Sequence, residues 1–579
     1  MATFLIATPA RADNPIVQHI YTADPAPMVH DGRVYLYTSH DEDGSTYFTM
    51  NDWHLFSSAD MVNWTHHGSP LSLTTFSWAS ADAWAGHVIE RNGRFYWYVP
   101  VKARATNSMA IGVAVADSPT GPFRDALGHP LVANGEIDPH AFIDDDGQAY
   151  LYWGNPNLWY VRLNPDMISY SGSPTRIPLT TAGFGTRTGD PDRPTLYEEG
   201  PWVYKRNGIY YNVFAAECCS EFIGYSTAPG PTGPWTYRGT VMPRQGGSFT
   251  NHPGVIDFAG GSYFFYHNGA LPGGGGFTRS VAVEKFSYRA DGTIPTMNMT
   301  TAGAPQIGTL NPYVRQEAET VAWSAGIETE RSSEGTMNVG WIENGDYIKV
   351  KGVAFGAGAA SFTARVAADS SGGSIELRLG GPTGTRVGTC DVPGTGGWQS
   401  WTSVSCPVTG ASGTHDLYLR FTGGSGYLLN VDWWQFNTGT APPPTSPPPT
   451  TAPPTTPPPT TPPPTTAPPT TAPPTTPGSS CTATVSAPAS WPGGYEGRLT
   501  VTNSTSTAID GWRVTFTLPA GQTVAQGWSG TFSQQGSQVT VTNASYNGQL
   551  SAGSSTTAGF ITSASGASQL PGNVTCTAG

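Results

Sequence analysis

Between residues 31 and 266 the chain repeats one hydrophobic pattern. Each copy is a short turn carrying glycine, followed by a strand of alternating aromatic side chains: DGRVYLY at 31–37, NGRFYWY at 92–98, DGQAYLY at 146–152, NGIYYNV at 207–213 and GGSYFFY at 260–266. Such a turn running into an alternating strand predicts a β-hairpin. The glycines Gly32, Gly93, Gly147, Gly208 and Gly261 stand 61, 54, 61 and 53 residues apart, and a β-rich repeat of that size matches one four-stranded propeller blade. The expectation is an all-β chain whose residues 13–300 form a five-bladed β-propeller.

Further along, residues 314–437 alternate short strands with Gly-rich turns, the pattern of an antiparallel sandwich. Residues 441–477 are almost pure Pro and Thr, a composition that buries no core and extends as polyproline II, reaching on the order of 100 Å at about 3.1 Å per residue. The segment 438–480 is thus a linker, and 481–579 is a separate terminal module.

Composition narrows the function classes. Charged residues are only 12% of the chain, the net charge is −13, and no stretch is rich in Lys or Arg, so the basic surface that drives nucleic-acid affinity is missing. No apolar run is long enough to span a membrane. Residues 1–12, MATFLIATPARA, read as the tail of a secretory signal with a small-x-small cleavage pattern. A secreted monomer is expected. Six cysteines fit export: Cys481 and Cys576 bracket the last module, Cys390 and Cys406 make a second plausible pair, and the adjacent Cys218 and Cys219 form either a vicinal disulfide or two buried thiols.

In a propeller the innermost strands converge on one axis, so equivalent positions of the repeat meet in space. Counting nine residues back from the later glycines gives Trp84, Asp138, Glu199 and His252, and eight back from Gly32 gives Asp24. Three carboxylates on one axis suit glycosidic hydrolysis. One carboxylic acid protonates the leaving oxygen, one carboxylate activates water on the opposite face of the sugar, and a third raises the acid's pKa by repulsion. Asp-Pro at 24–25, Asp-Pro at 138–139 and Glu-Gly-Pro at 199–201 stiffen the backbone beside each acid, and Trp84 offers the sugar a flat wall.

YTADPAPM at 21–28, EIDPHAFIDDDGQAYLYWG at 136–154 and YEEGPWVYKRNGIYY at 197–211 resemble the three acidic motifs of glycoside hydrolase family 43, whose members are five-bladed propellers that invert the anomeric centre. The resemblance implies Asp24 as general base, Asp138 as pKa modulator and orienter, and Glu199 as general acid, with no role for Glu198. It also implies that His252 contacts a calcium ion or its water shell in the central channel, and that Arg279 pairs with the active-site acids. Within the family the chain most resembles arabinoxylan arabinofuranohydrolases, which remove α-L-arabinofuranosyl branches from xylan. A β-xylosidase or xylan-cleaving relative is the alternative enzyme, since the acids are shared, and a silent glycan-binding lectin is the alternative from another class.

The segment 314–437 resembles carbohydrate-binding module family 6. This implies that Trp341 and Trp398 sandwich a sugar, that Asn430 hydrogen-bonds it, and that Glu317, Glu319 and Asp432 hold a structural calcium ion; no organic cofactor is implied. The segment 481–579 resembles carbohydrate-binding module family 2, a second β-sandwich in which Trp491, Trp528 and Tyr546 would lie flat on cellulose, with Trp512 in the core. The expected partners are therefore xylan and cellulose.

Overall fold

The computed structural model describes residues 13–439 and 481–578, apart from 336, 492–493, 529, 545–546 and 565–568. The expected signal segment 1–12, nearly all of the linker, and Tyr546 lie outside the described residues, as do the side chains of Trp491 and Trp528. Two compact units result, Met1–Pro449 and Thr450–Gly579. Among the described residues the regular helix amounts to Thr181–Phe184 and the 3-10 turn Leu73–Thr75, and no helix is long and apolar enough to cross a membrane.

Five antiparallel sheets follow one another between Thr22 and Phe286. The first is built on Thr22–His30, Arg33–His40, Asp52–Ser58 and Trp64–His66; the fifth, on Gly254–Phe258, Gly261–Asn268 and Ser280–Phe286, has three strands. The N-terminal segment lies along the last strand of the fifth sheet, with the Ile16 amide donating to Val281 O at 2.9 Å and the Thr22 amide to Arg279 O at 2.9 Å. First and last sheets are thereby tied together.

The repeat explains the hairpins. Asp31–Gly32, Asn92–Gly93 and Asn207–Gly208 all have positive φ at both central positions, the two-residue turn whose twist matches its flanking strands. In the fifth copy the turn is Ala259–Gly260, with φ of 45° and 76°, while Gly261 already pairs with Phe258 in the ladder. Gly260, not Gly261, is therefore the turn glycine, and His252 sits eight residues before it, as Asp24 does before Gly32.

The repeated tyrosines stitch the sheets together. Tyr37 donates its hydroxyl to Pro119 O at 2.8 Å, Tyr98 to Met167 O at 2.6 Å and Tyr152 to Pro231 O at 2.7 Å, each reaching a loop of the next sheet. Their rings are buried between sheets, so an otherwise costly buried hydroxyl is satisfied while the ring removes a large apolar area from water.

Residues 316–437 form a two-sheet sandwich with one continuous core around Trp434, Phe362 and Phe436. The disulfide Cys390–Cys406 joins its two sheets. The sandwich is also bonded to the propeller: Thr320–Val321 pairs antiparallel with Trp64–Thr65 at the edge of the first sheet. In the second unit two four-stranded sheets enclose Trp512, 1% exposed, and Cys481 is bonded to Cys576. Cys218 and Cys219 form the vicinal disulfide.

Candidate active site and glycan cleft

A cavity of about 210 Å³ gathers Asp24, Asp138, Glu199, Trp84, His252 and Arg279. Local backbone aims the acids. Asp24 lies in a bulge between Ala23 and Ala26, and Glu199 between two register shifts of its strand; bulges re-aim side chains out of the ladder. Asp24 and Asp138 have φ of 52° and 60°, a left-handed conformation that costs a non-glycine residue roughly 1–2 kcal/mol, and Pro25 and Pro139 follow directly. The stiffness anticipated from the Asp-Pro pairs is thus local backbone strain at the acids themselves.

Charge then separates them. Arg279 spans two buried acids, with Nη1 3.2 Å from Asp24 Oδ1 and Nη2 2.9 Å from Asp41 Oδ1, and its Nε donates to Asp41 Oδ2 at 2.9 Å. Burial alone would raise the Asp24 pKa, but Arg279, then His252 and His267, outweigh it and hold the carboxyl below its ordinary value. Among the described residues Glu199 makes no such ion pair, and Arg279 lowers it less than burial, Asp24, Glu198 or Asn155 shift it. Burial first, then the charges of Asp24 and Glu198, push it up to about 7, against a hydrogen bond donated by Asn155 Nδ2 to Oε2. Asp138 is held well above the usual range by burial, then by Glu199 and Asp24, while its Oδ2 accepts from the Gly200 amide at 3.1 Å. One carboxylate is ionised, and its partner across the same cavity is poised to keep a proton near neutrality.

Trp84 is half-buried on the wall, its Nε1 held by Phe48 O at 2.9 Å. Glu198 faces elsewhere, pairing with Arg187 at 2.5 Å and Arg193 at 2.8 Å. His252 lies at the cavity within electrostatic reach of Asp24, His87 and His140. No group of three metal-ligating side chains among the described residues includes it.

Two groups that bear on the cavity were not singled out from sequence: Asp41, paired with Arg279, and Asn155, which donates to Glu199. Asp41 alone had a readable signal, an acid at the end of an otherwise alternating strand.

The sandwich carries a second recess of about 190 Å³, lined by Trp341, Trp398, Tyr427, Asn430 and Glu330. It brings together the three residues expected there and adds two. Trp341 and Tyr427 are 41% and 49% exposed, whereas Asn430 is buried and donates to Glu330 Oε1 and Trp398 O, both at 2.9 Å. Further along the strand that carries Asn430, Arg315 pairs with Glu317 at 2.8 Å and reaches Asp432 at 3.5 Å. Glu319 is buried, its Oε2 has no partner, and burial followed by Glu317 and Asp432 pushes its pKa well up. An orphaned buried carboxylate oxygen beside two more acids fits a hard cation such as calcium.

Three family profiles match the chain: Glycosyl hydrolases family 43 over residues 12–294, Carbohydrate binding module (family 6) over 317–438, and Cellulose binding domain over 481–579. Arabinoxylan arabinofuranohydrolase of Bacillus subtilis (strain 168) is 37% identical over 497 residues, 73% of this chain and 92% of that protein. A xylosidase/arabinosidase of Bacteroides ovatus is 31% identical over 316 residues, 48% of this chain and 95% of that protein. Among solved structures, a family 43 arabinoxylan arabinofuranohydrolase from Bacillus subtilis in complex with cellotetraose superposes with a TM-score of 0.65 at 35% identity, covering 75% of this chain and all of that one. With identity of this extent over nearly three quarters of its length, and with matched acids gathered in one cavity, the chain belongs to glycoside hydrolase family 43.

Proposed function

We propose that the chain is a secreted, monomeric arabinofuranosidase that removes α-L-arabinofuranosyl branches from arabinoxylan with inversion, held on its substrate by a xylan-binding sandwich and a cellulose-binding terminal module. The observation that carries the reading is the opposite electrostatic bias of Asp24 and Glu199 in one cavity. Asp24, ionised, takes a proton from water as the water oxygen attacks the anomeric carbon. Glu199, protonated, delivers its proton to the departing xylose oxygen as the glycosidic bond breaks on the other face. Arg279 keeps Asp24 charged, Asp138 orients the site through Gly200, and Trp84 packs against the sugar. Glu317, Glu319 and Asp432 would hold a structural calcium ion, which would neutralise their mutual repulsion.

Similarity to a protein named xylosidase/arabinosidase favours a second reading, release of xylose. Incubation with wheat arabinoxylan and debranched arabinan, with NMR of the freshly released sugar, separates the two. Arabinose from arabinoxylan with inverted configuration is the expected result; xylose favours the second reading, and a retained anomer would overturn the roles given to Asp24 and Glu199.

A further inference from the structure

Apart from the acids Glu317, Glu319 and Asp432, the described residues bring together three side chains whose ligand atoms could hold a metal ion: His40, Asp52 and His54. Register brings them together. In the first sheet Thr38 pairs with His54 and Ser39 with Trp53, which sets His40 across from Asp52. Side chains alternate with a period of two, so all three project from one face.

Their geometry is close to that of a metal shell. His40 Nδ1 lies 2.9 Å from Asp52 Oδ1, and His54 Nε2 lies 3.4 Å from Asp52 Oδ2. The donor atoms all fall within 4.8 Å of one another, and in a tetrahedral site with bonds of 2.0–2.1 Å such atoms stand about 3.3 Å apart. The three side chains are 13–25% exposed, so an ion could enter and keep a solvent ligand.

The surrounding hydrogen bonds already orient one ligand. His54 Nδ1 lies 2.8 Å from His66 Nε2, and His66 Nδ1 is shared between Thr329 Oγ1 at 2.7 Å and His19 Nε2 at 3.1 Å. In the tautomer in which His54 Nδ1 donates along this chain, His54 Nε2 presents its lone pair toward Asp52; in the other, His54 Nε2 donates to Asp52 Oδ2. A lone pair facing a carboxylate is unfavourable unless a cation lies between them, and such an outer hydrogen bond is what fixes the tautomer of a metal-bound imidazole. Glu328, next to Thr329, lies within electrostatic reach of His40 and Asp43.

We propose that His40, Asp52 and His54 form a binding site for a divalent transition cation of the zinc class, distinct from the glycan sites and from the acids assigned to calcium. Two imidazoles and one carboxylate suit zinc and its neighbours better than calcium. The ion would clamp the second and third strands of the first sheet and, through His66 and Thr329, brace the propeller against the sandwich.

The test uses the full chain, stripped of transition metals and saturated with calcium. Calorimetric titration with zinc should show one saturable site, thermal unfolding should move upward, and cobalt(II) in place of zinc should give the visible absorption of a low-symmetry site. His54→Gln and His40→Gln should each weaken zinc binding at least tenfold while leaving arabinose release in calcium unchanged. If His54→Gln fails to fold because His66 loses its partner, His40→Gln carries the test, since His40 bonds to Asp52 and not to the histidine chain. Absence of a saturable zinc site, or equal zinc affinity in the wild type and His40→Gln, overturns the proposal.

Discussion

The axial cavity and the sandwich cleft are built on the same pair. In the cavity Asn155 donates to Glu199, and in the cleft Asn430 donates to Glu330. What differs is the company. Around Glu199 stand further buried carboxylates and a walled-in tryptophan; around Glu330 stand aromatic faces turned to solvent. Chemistry on a sugar requires that a proton be held or released at a chosen atom, which takes burial and crowded charge. Holding a sugar requires a flat apolar face and a few polar anchors, which burial would waste.

Disabling one site while sparing the other separates the two most widely. Glu199→Gln should lower arabinose release from arabinoxylan about 1000-fold, in the range of a lost general acid, with xylan retention in affinity electrophoresis unchanged; near-normal turnover would remove Glu199 from the reaction. The converse change is Trp341→Ala. It should weaken binding of xylo-oligosaccharides to the sandwich roughly ten- to a hundredfold by calorimetry, as loss of an aromatic anchor does, and leave kcat on a small aryl arabinofuranoside as it was.

Protonation sharpens the contrast further. Glu199 acts in its protonated form and is pushed up to about 7, so kcat/KM on a small substrate should fall about tenfold per pH unit above 7, whereas sandwich affinity should be flat across that range. The smallest effect comes from the shared asparagine. Asn155 favours the charged form of Glu199, so Asn155→Ala should move the alkaline limb upward by about half to one pH unit, the equivalent of one hydrogen bond. Asn430→Ala should leave that limb where it is.

Much of this was legible before any coordinates. The turn glycines exposed the repeat, and the repeat placed Asp24, Asp138 and Glu199 on one axis because a propeller converts a sequence period into spatial convergence. The fifth copy was misread by one residue because Gly260 and Gly261 are adjacent, and only the ladder shows which of them turns. Asp41 and Asn155 escaped because each acts through a long-range partner: Arg279 lies 238 residues from Asp41, and Glu199 lies 44 from Asn155. Neither pairing has a local signature, and Asp41 shows in the sequence only as an acid at the end of a strand, with nothing to name its partner. Glu330 and Tyr427 were hidden as well: Glu330 lies 100 residues from Asn430 on another strand of the same sheet, and Tyr427 comes from the loop that precedes Asn430.

The two-residue strand Thr320–Val321 on the border of the first sheet also bears on where this protein can be cut. A shortened enzyme ending near residue 300 would retain all three acids, yet it would uncover the outer edge of Trp64–His66, where open amides and carbonyls invite pairing with another chain. Excising the sandwich as a spare part would thus leave an adhesive border on the catalytic piece. A cut made after residue 439 passes through the linker and leaves every described ladder bond of the first unit in place.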